Sequence, residues 1–323
     1  MANQLLSPAQ TAAALPYARL ASEIEALLKD HTVQVPPRIV QSLHGGGSLF
    51  VMPAADSRVA ITKLISFIPS NPARGLPTIQ GDIVVFDVAT GQRLCLLDGP
   101  TVTARRTAAV SLLAAQNLAP CRNDSNPGPL LIVGAGVQGR AHLEAFREGL
   151  GVKEVGIASR SPASAQTLVQ HAQSLGMRAY VVTDPNAALA DFSLVVSTTP
   201  AQEVVLTAHP RADAFVAAVG AFTPRMMEWS AEVCQHLART GTLVVDTRDA
   251  DHEAGDLLQA GVAVNALPTL ADVVRQTALW TKRTNVPGSS GGPIFFKSCG
   301  WAGWDLAAAR CIVRSSLFEA LDV

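Results

Sequence analysis

Three groups of residues in this chain have types and spacings that can do chemistry. In LLIVGAGVQGRAHLEAF (130–146), Gly134, Gly136 and Gly139 form a G-x-G-x-x-G turn between a four-residue apolar run and a helix-spaced run. In that context the turn reads as a dinucleotide cradle. Gly134 permits the tight turn, Gly136 lets the backbone approach a pyrophosphate, and Gly139 lets the helix pack closely, with Ala135, Val137 and Gln138 completing the loop at a helix N-terminus. The second group is the row Val59, Ile61, Lys63, Ile65 and Phe67, whose alternate residues share one strand face on which Lys63 is the only charge. Lys63 is either an edge gatekeeper against aggregation or an ammonium turned into a cavity where an anion compensates it. The third group is Arg105 and Arg106 in GPTVTARRTAAVSLLAAQNLA (99–119), read as a helix with Thr101 or Thr103 at its N-cap. Both arginines then fall in the first turn, where cations are disfavoured by about 0.3–1 kcal/mol each. One is expected to be solvated, the other to form a small-carboxylate receptor with Lys63.

Cofactor choice is expected at the end of the second strand, where NAD-specific proteins place an acid on the ribose 2′-hydroxyl. Here the strand EVGIA ends in Ser159, Arg160 and Ser161. An arginine between two hydroxyls suits a 2′-phosphate, so NADP(H) is preferred with NAD(H) possible, unless Arg160 is merely a solvated turn residue. Thr198 and Thr199, after the strand FSLVVS, are expected to line the same crevice.

These residues need a scaffold. Up to about Pro120 the chain carries the strand-like runs SLFVMP, RVAITKLISFI and DIVVFDVATGQRLCLLD, the last a hairpin turning at Thr90 and Gly91. CRNDSNPGP (121–129) reads as a linker. From Leu130 strands and helices alternate through TLVVD, the pattern of a doubly wound parallel sheet. A Gly-rich loop, VPGSSGG (286–292), precedes a last helix beginning near Trp304. The early strands lack helices of their own, so that C-terminal helix, or a second subunit, is expected to cover them. Asp246 ends an apolar strand at the carboxyl edge of the sheet. Asp249, Asp251, Glu253 and Asp256 follow it and read mostly as helix-start or solvent residues, while Asp305 either orients Lys63 or caps the last helix.

Bulk properties narrow the classes. The 323 residues, 48% hydrophobic with net charge −1, suit two α/β domains. No basic stripe points to nucleic acid, no apolar run suits a membrane span, and no signal-like N-terminus is seen, so a cytoplasmic protein is expected. Five dispersed cysteines form no C-x-x-C pair, and seven histidines show no metal-ligand spacing. No metal is expected.

Taken together, VMPA, TKL around Lys63, DGPTVTARRTAAVS, VGAGVQGRAHLEAF, AVGAFTP and FKSCGWAGWDLAAAR resemble the ornithine cyclodeaminase/mu-crystallin family of NAD(P)-dependent proteins over nearly the whole chain. The resemblance implies a homodimer. Each chain would have a discontinuous α+β substrate-binding and dimerisation domain, 1–122 with 301–323, and a Rossmann domain at 123–300. It places the substrate carboxylate on Arg38, Lys63 and Arg106, with Thr78 below the lysine. Ser298 and Gly300 would close the substrate pocket against the nicotinamide, and Val219 and Gly220 would lie on the cofactor. True cyclodeaminases carry an aspartate in the loop that reads AVGAFTP here, and Phe222 takes its place. A phenyl ring cannot take a proton. It would instead exclude water beside the nicotinamide, or simply pack in the core. The resemblance thus favours the family's ketimine reductases, reducing Δ1-pyrroline-2-carboxylate to L-proline and also Δ1-piperideine-2-carboxylate to L-pipecolate. The alternatives are an ornithine cyclodeaminase, an alanine dehydrogenase-like enzyme and a non-catalytic NADPH-binding crystallin-like protein.

Overall fold

Alternating apolar runs in the first third of the chain and continuous ones in the middle produce two different sheets. The structure, a computed structural model, describes residues 4–119, 127–200, 203–276, 280 and 292–314. The chain divides into two units, Met1–Thr107 with Trp301–Val323, and Ala108–Gly300. The sequence puts the first boundary at 122/123; the division instead falls inside a helix. Most of the expected linker (121–126) and of the Gly-rich loop (286–291) lie outside the described residues, as does Cys121.

The first unit holds β1 (Gln4–Leu5), α1 (Pro8–Ala13), α2 (Tyr17–Lys29), β2 (Ile39–Ser42), β3 (Ser48–Ala55), β4 (Val59–Phe67), β5 (Ile79–Asp87), β6 (Arg93–Asp98) and the start of α3 (Gly99–Leu118). Its sheet order is β1-β6-β5-β4-β3-β2, antiparallel from β2 to β6. The β5–β6 hairpin turns where expected, with Gly91 at φ 70°. Along β4, Val59, Ile61, Lys63 and Ile65 are buried while Leu64 is exposed, so Lys63 faces the covered side. That cover is the C-terminal helix anticipated from the sequence, Ala302–Val313, which packs on β3, β4 and α2. It begins at Ala302 and is buried from Ala302 to Ile312, as its Ala-rich, almost uncharged sequence requires.

One buried arginine ties this helix down. Arg310 Nε lies 2.8 Å from Glu23 of α2, and its Nη1 lies 3.1 Å from Asp30 and 3.2 Å from Asp56.

The second unit is a seven-stranded parallel sheet, β12-β13-β11-β10-β7-β8-β9. Its strands are β7 (Leu130–Val133), β8 (Glu154–Ala158), β9 (Arg178–Val181), β10 (Leu194–Ser197), β11 (Phe215–Ala218), β12 (Thr242–Val245) and β13 (Ile294–Lys297). Its helices include α4 (Val137–Leu150), α5 (Pro162–Ser174), α6 (Pro185–Ala188), α7 (Ala231–Thr240), α8 (Ala250–Glu253), α9 (Gly255–Gln259) and α10 (Leu270–Arg275). The C-terminal helix is therefore α11. β7, β10, β11 and β13 are buried at every position, which explains their unbroken apolar runs. β13 was not expected: IFFK is short, and its last residue is a lysine that the structure buries completely. The order reverses between β7 and β10, the switch point at which such sheets bind ligands. No helix among the described residues is long and apolar enough to cross a membrane.

Replacing Arg310 with leucine leaves Asp56 buried without its counter-charge and Glu23 with Arg314 alone, so the first unit should lose about 3–5 kcal/mol of stability. Urea unfolding of the purified variant checks this.

Candidate active site

The charged cluster in the first unit is built by three elements. Lys63 comes from β4, Thr103 and Arg106 from α3, and Asp305 from α11. Lys63 Nζ donates to Thr103 Oγ1 at 2.7 Å and to Asp305 Oδ1 at 3.1 Å; Arg106 Nε donates to the same oxygen at 3.3 Å. Lys63, Arg106 and Asp305 are 1%, 6% and 0% exposed, so two cations and one carboxylate share a nearly dry site. Burial pushes the Lys63 ammonium down to about 8; Asp305 resists the push and the Arg106 charge adds to it. Asp305 Oδ2 is buried without a hydrogen-bond partner among the described residues. The Arg106 fork bonds the protein only through Nε among the described residues, which leaves its two terminal nitrogens to grip a carboxylate.

Several expectations about this cluster change. Helix α3 starts at Gly99 and is capped by Asp98, whose carboxylate accepts from the Thr101 N–H at 2.8 Å. Neither threonine is the cap, and the arginines stand beyond the first turn, so the dipole penalty does not apply. Thr103 instead turns its hydroxyl back to the Gly99 carbonyl at 2.8 Å while accepting from Lys63. Arg105 is not a solvated bystander. It stacks on Tyr17, 3.8 Å from the ring centroid, and donates to the Leu15 carbonyl at 2.7 Å. Asp305 lies inside α11 and does not cap it; it orients Lys63.

Arg38 precedes edge strand β2, exposed, with its guanidinium 5.9 Å from the centroid of Phe50. Ile39 pairs with Val51, and Met52 with Lys63. Arg38 thus falls in the row of Lys63, two strands or about 10 Å away. Thr78 sits at the far end of the β4–β5 ladder, its carbonyl accepting from the Ile68 N–H at 2.8 Å. The ladder sets Ile83 opposite Lys63, and the Lys63 hydrogen bonds go to Thr103 and Asp305 rather than to Thr78.

The glycine turn in the second unit has the demands expected of it. Gly134 has φ 111° and lies against Thr198, and a Cβ on Gly139 would meet the Gly134 carbonyl at 1.9 Å. A Cβ on Gly136 would meet nothing, so the cradle is open where phosphate would approach. Gly136 is the N-cap of α4 and supplies no side-chain cap, leaving the first N–H groups for an anion. Val137 is 73% exposed beside them, and Gln138 Oε1 is buried without a partner among the described residues. A dinucleotide fits these residues: phosphate on the uncapped amides, apolar cover from Val137, and a donor for Gln138. Arg160 is exposed after β8 and makes no ion pair among the described residues. Ser159 Oγ accepts from the Ser161 N–H at 3.3 Å, and Ser161 caps α5.

The strand-end loops are held by buried acids, of which the sequence points to Asp246 at the sheet edge but not to Asp256 or Glu228. Asp246 Oδ2 accepts from Ser298 Oγ, the Cys299 N–H and the Gly300 N–H at 3.0, 2.8 and 2.8 Å. Ser298 is therefore turned inward, 3% exposed, while Gly300 takes φ 101°. Asp256, read as a solvent residue, is fully buried 2.7 Å from Lys297 Nζ and accepts from the N–H groups of Glu228 and Trp229. Glu228, unnoticed in the sequence, bonds the loops after β10 and β11. These include Thr199 and Gly220, while Val219 is buried beside them. Thr198 Oγ1 donates to the Gly134 carbonyl at 3.1 Å. Phe222 is 44% exposed after β11, which rules out the core-packing reading. Among the described residues no group of three or more His, Cys, Asp or Glu residues could hold a metal.

The family model for the ornithine cyclodeaminase/mu-crystallin family matches residues 3–318. This chain belongs to that family. Its relatives include a Δ1-pyrroline-2-carboxylate reductase of Burkholderia multivorans, 36% identical over 94% of this chain and 92% of the relative. Ketimine reductase mu-crystallin of Rattus norvegicus is 33% identical over 83% and 80% of the two chains. The structure of a Thermococcus litoralis Δ1-pyrroline-2-carboxylate reductase with NADH and L-proline shares the fold, with a TM-score of 0.84 at 24% identity over 98% of each chain. Family membership accounts for both sheets, the mixed one of the first unit and the parallel one that carries the glycine turn.

Within this family member, Gly139→Ala would drive a methyl into the Gly134 carbonyl and push the turn out of shape. Dinucleotide binding, followed by the fluorescence of NADPH, should fall below detection.

Proposed function

We propose that this chain is an NAD(P)H-dependent reductase of cyclic ketimine carboxylates, converting Δ1-pyrroline-2-carboxylate to L-proline and accepting the six-membered Δ1-piperideine-2-carboxylate to give L-pipecolate. The observation that carries the reading is the excess positive charge of the buried cluster: Lys63 and Arg106 share one oxygen of Asp305, and the terminal nitrogens of Arg106 remain unspent. Such a site is stabilised by an anion, and a substrate carboxylate is one. The reductase names of relatives at 34–36% identity support the same chemistry.

The bound reduced nicotinamide supplies the hydride. The protein's own residues do the rest by positioning. Arg106 grips the carboxylate through its fork, and Lys63, its ammonium steadied by Thr103 and Asp305, adds the second cation and holds a proton for the imine nitrogen. Phe222, exposed and apolar where a deaminating enzyme would need an acid, argues against a cyclodeaminase.

NADPH preference is supported by the loop Ser159, Arg160 and Ser161, an exposed cation between two hydroxyls that makes no ion pair among the described residues. A homodimer is supported by Ile39 and Val40, 59% and 50% exposed on edge strand β2. A cytoplasmic setting is supported by Cys95, Cys234, Cys299 and Cys311, all free thiols.

Mixing the purified chain with either cyclic imine and NADPH should oxidise the cofactor and yield proline or pipecolate. Ammonia release from ornithine with no imine reduction would overturn the reading. Arg160→Ala should raise the KM for NADPH about tenfold and leave that for NADH unchanged. With a Lys63 pKa of about 8, the ammonium is present below that pH and lost above it. The kcat/KM for imine reduction should therefore fall as pH rises through about 8, and Lys63→Arg should remove that limb.

A further inference from the structure

A single carboxylate in the second unit collects donors from two neighbouring loops. Glu228 is fully buried. Its Oε1 accepts from the Thr199 N–H at 2.7 Å and the Thr199 hydroxyl at 3.0 Å, and its Oε2 accepts from the Gly220 N–H at 2.6 Å and the Ser197 hydroxyl at 3.0 Å. Ser197 ends β10 and pairs with Ala218, the end of β11, so the four donors come from the adjoining carboxyl ends of two parallel strands at the switch-point side of the sheet. Buried backbone N–H groups at strand ends need a partner. Here they turn inward to Glu228 instead of outward to water or ligand.

The carboxylate is itself anchored. The Glu228 and Trp229 N–H groups donate to Asp256 Oδ1 at 2.6 and 3.0 Å, and Asp256 Oδ2 lies 2.7 Å from Lys297 of β13. Trp229 Nε1 donates to Ser197 Oγ at 3.0 Å, which orients that hydroxyl toward Glu228. Burial pushes the Glu228 carboxyl up, and the Lys297 charge with the loop amides pulls against it. The fit is tight: a Cβ on Gly220 would meet the Thr199 carbonyl at 2.1 Å and Glu228 Oε1 at 2.5 Å.

A surface carboxylate would be hydrated and exert no such control. This one accepts from both loops at once and sets their separation. We propose that Glu228 is a positioning residue for the dinucleotide: it fixes the spacing of the Ser197–Thr199 and Val219–Gly220 loops and removes their N–H donors from the crevice side of the sheet. The inference rests on the nicotinamide-dependent reading above. The Thr199 and Gly220 amides are spent on Glu228, so in lining the crevice these two residues do not offer those donors to the cofactor.

Glu228→Gln tests it. Glutamine presents an NH2 where one of the two loop amides needs an acceptor, and donor against donor forces a loop away. NADPH titrated into the folded variant, read by cofactor fluorescence, should show a Kd raised about tenfold or more, while the imino-acid KM at saturating NADPH stays within about twofold of wild type. A purely structural role would lower the melting temperature and leave the Kd of the folded protein unchanged, and that result would overturn the proposal. If Glu228→Gln does not fold, Ser197→Ala removes one donor from the carboxylate with little loss of volume. Its NADPH Kd should rise about threefold, and an unchanged Kd overturns the proposal. Failure of the wild type to bind either nicotinamide dinucleotide would sink the functional reading as well. Tight binding by wild type and variants alike would sink only the role of Glu228.

Discussion

Asp305 Oδ1 is the atom on which the first unit turns. Two cations reach it from different elements, at 3.1 and 3.3 Å, in a site from which water is almost excluded. One carboxylate cannot neutralise both, and bringing charges out of water costs several kcal/mol per ion even after relaxation. The fold tolerates this because β4 presents Lys63 on its covered face, α3 brings Thr103 and Arg106 over it, and α11 supplies the acid. A cluster assembled in this way is already oriented and already short of one negative charge, so under the proposed function a substrate carboxylate would complete its electrostatics.

The second unit uses carboxylates differently. Asp246 and Glu228 accept from backbone amides and hydroxyls of strand-end loops, and Asp256 pairs with Lys297 beneath them. They serve as internal braces for loop geometry. Attraction of an anion is left to the uncapped start of α4. Equally buried carboxylates thus take different partners: Asp305 and Asp256 meet cations, Asp246 and Glu228 gather N–H and hydroxyl donors, and in each case burial makes a partner obligatory.

What could be read from the sequence follows the range of the signal. The glycine turn is local, and its strand and helix flank it directly, so its conformation is legible in the sequence. Lys63 stood out because strand alternation makes one charge in an apolar row conspicuous, and the unprotected early strands implied the C-terminal cover. The pairing of Glu228 with loops 29 and 8 residues away, and of Lys297 with Asp256, leaves no periodic trace. β13 was hidden because four residues after a Gly-rich stretch look like loop. The cap of α3 was misread because Asp98 ends a strand and starts a helix with no loop between, so the nearby threonines drew the assignment. Choosing between Arg105 and Arg106 required the family motif, and the stacking of Arg105 on Tyr17 explains why only its neighbour joins the cluster.

Lys63 and Asp305 are 242 residues apart, yet they share a hydrogen bond. The contact joins two segments of the first unit between which the chain runs through the whole of residues 108–300, so it closes a very long loop whose entropy the buried contacts of α11 must offset. The one helix α11 therefore both covers β3 and β4 and delivers the acid, so any change that loosens it uncovers the sheet and dismantles the charged cluster in the same event.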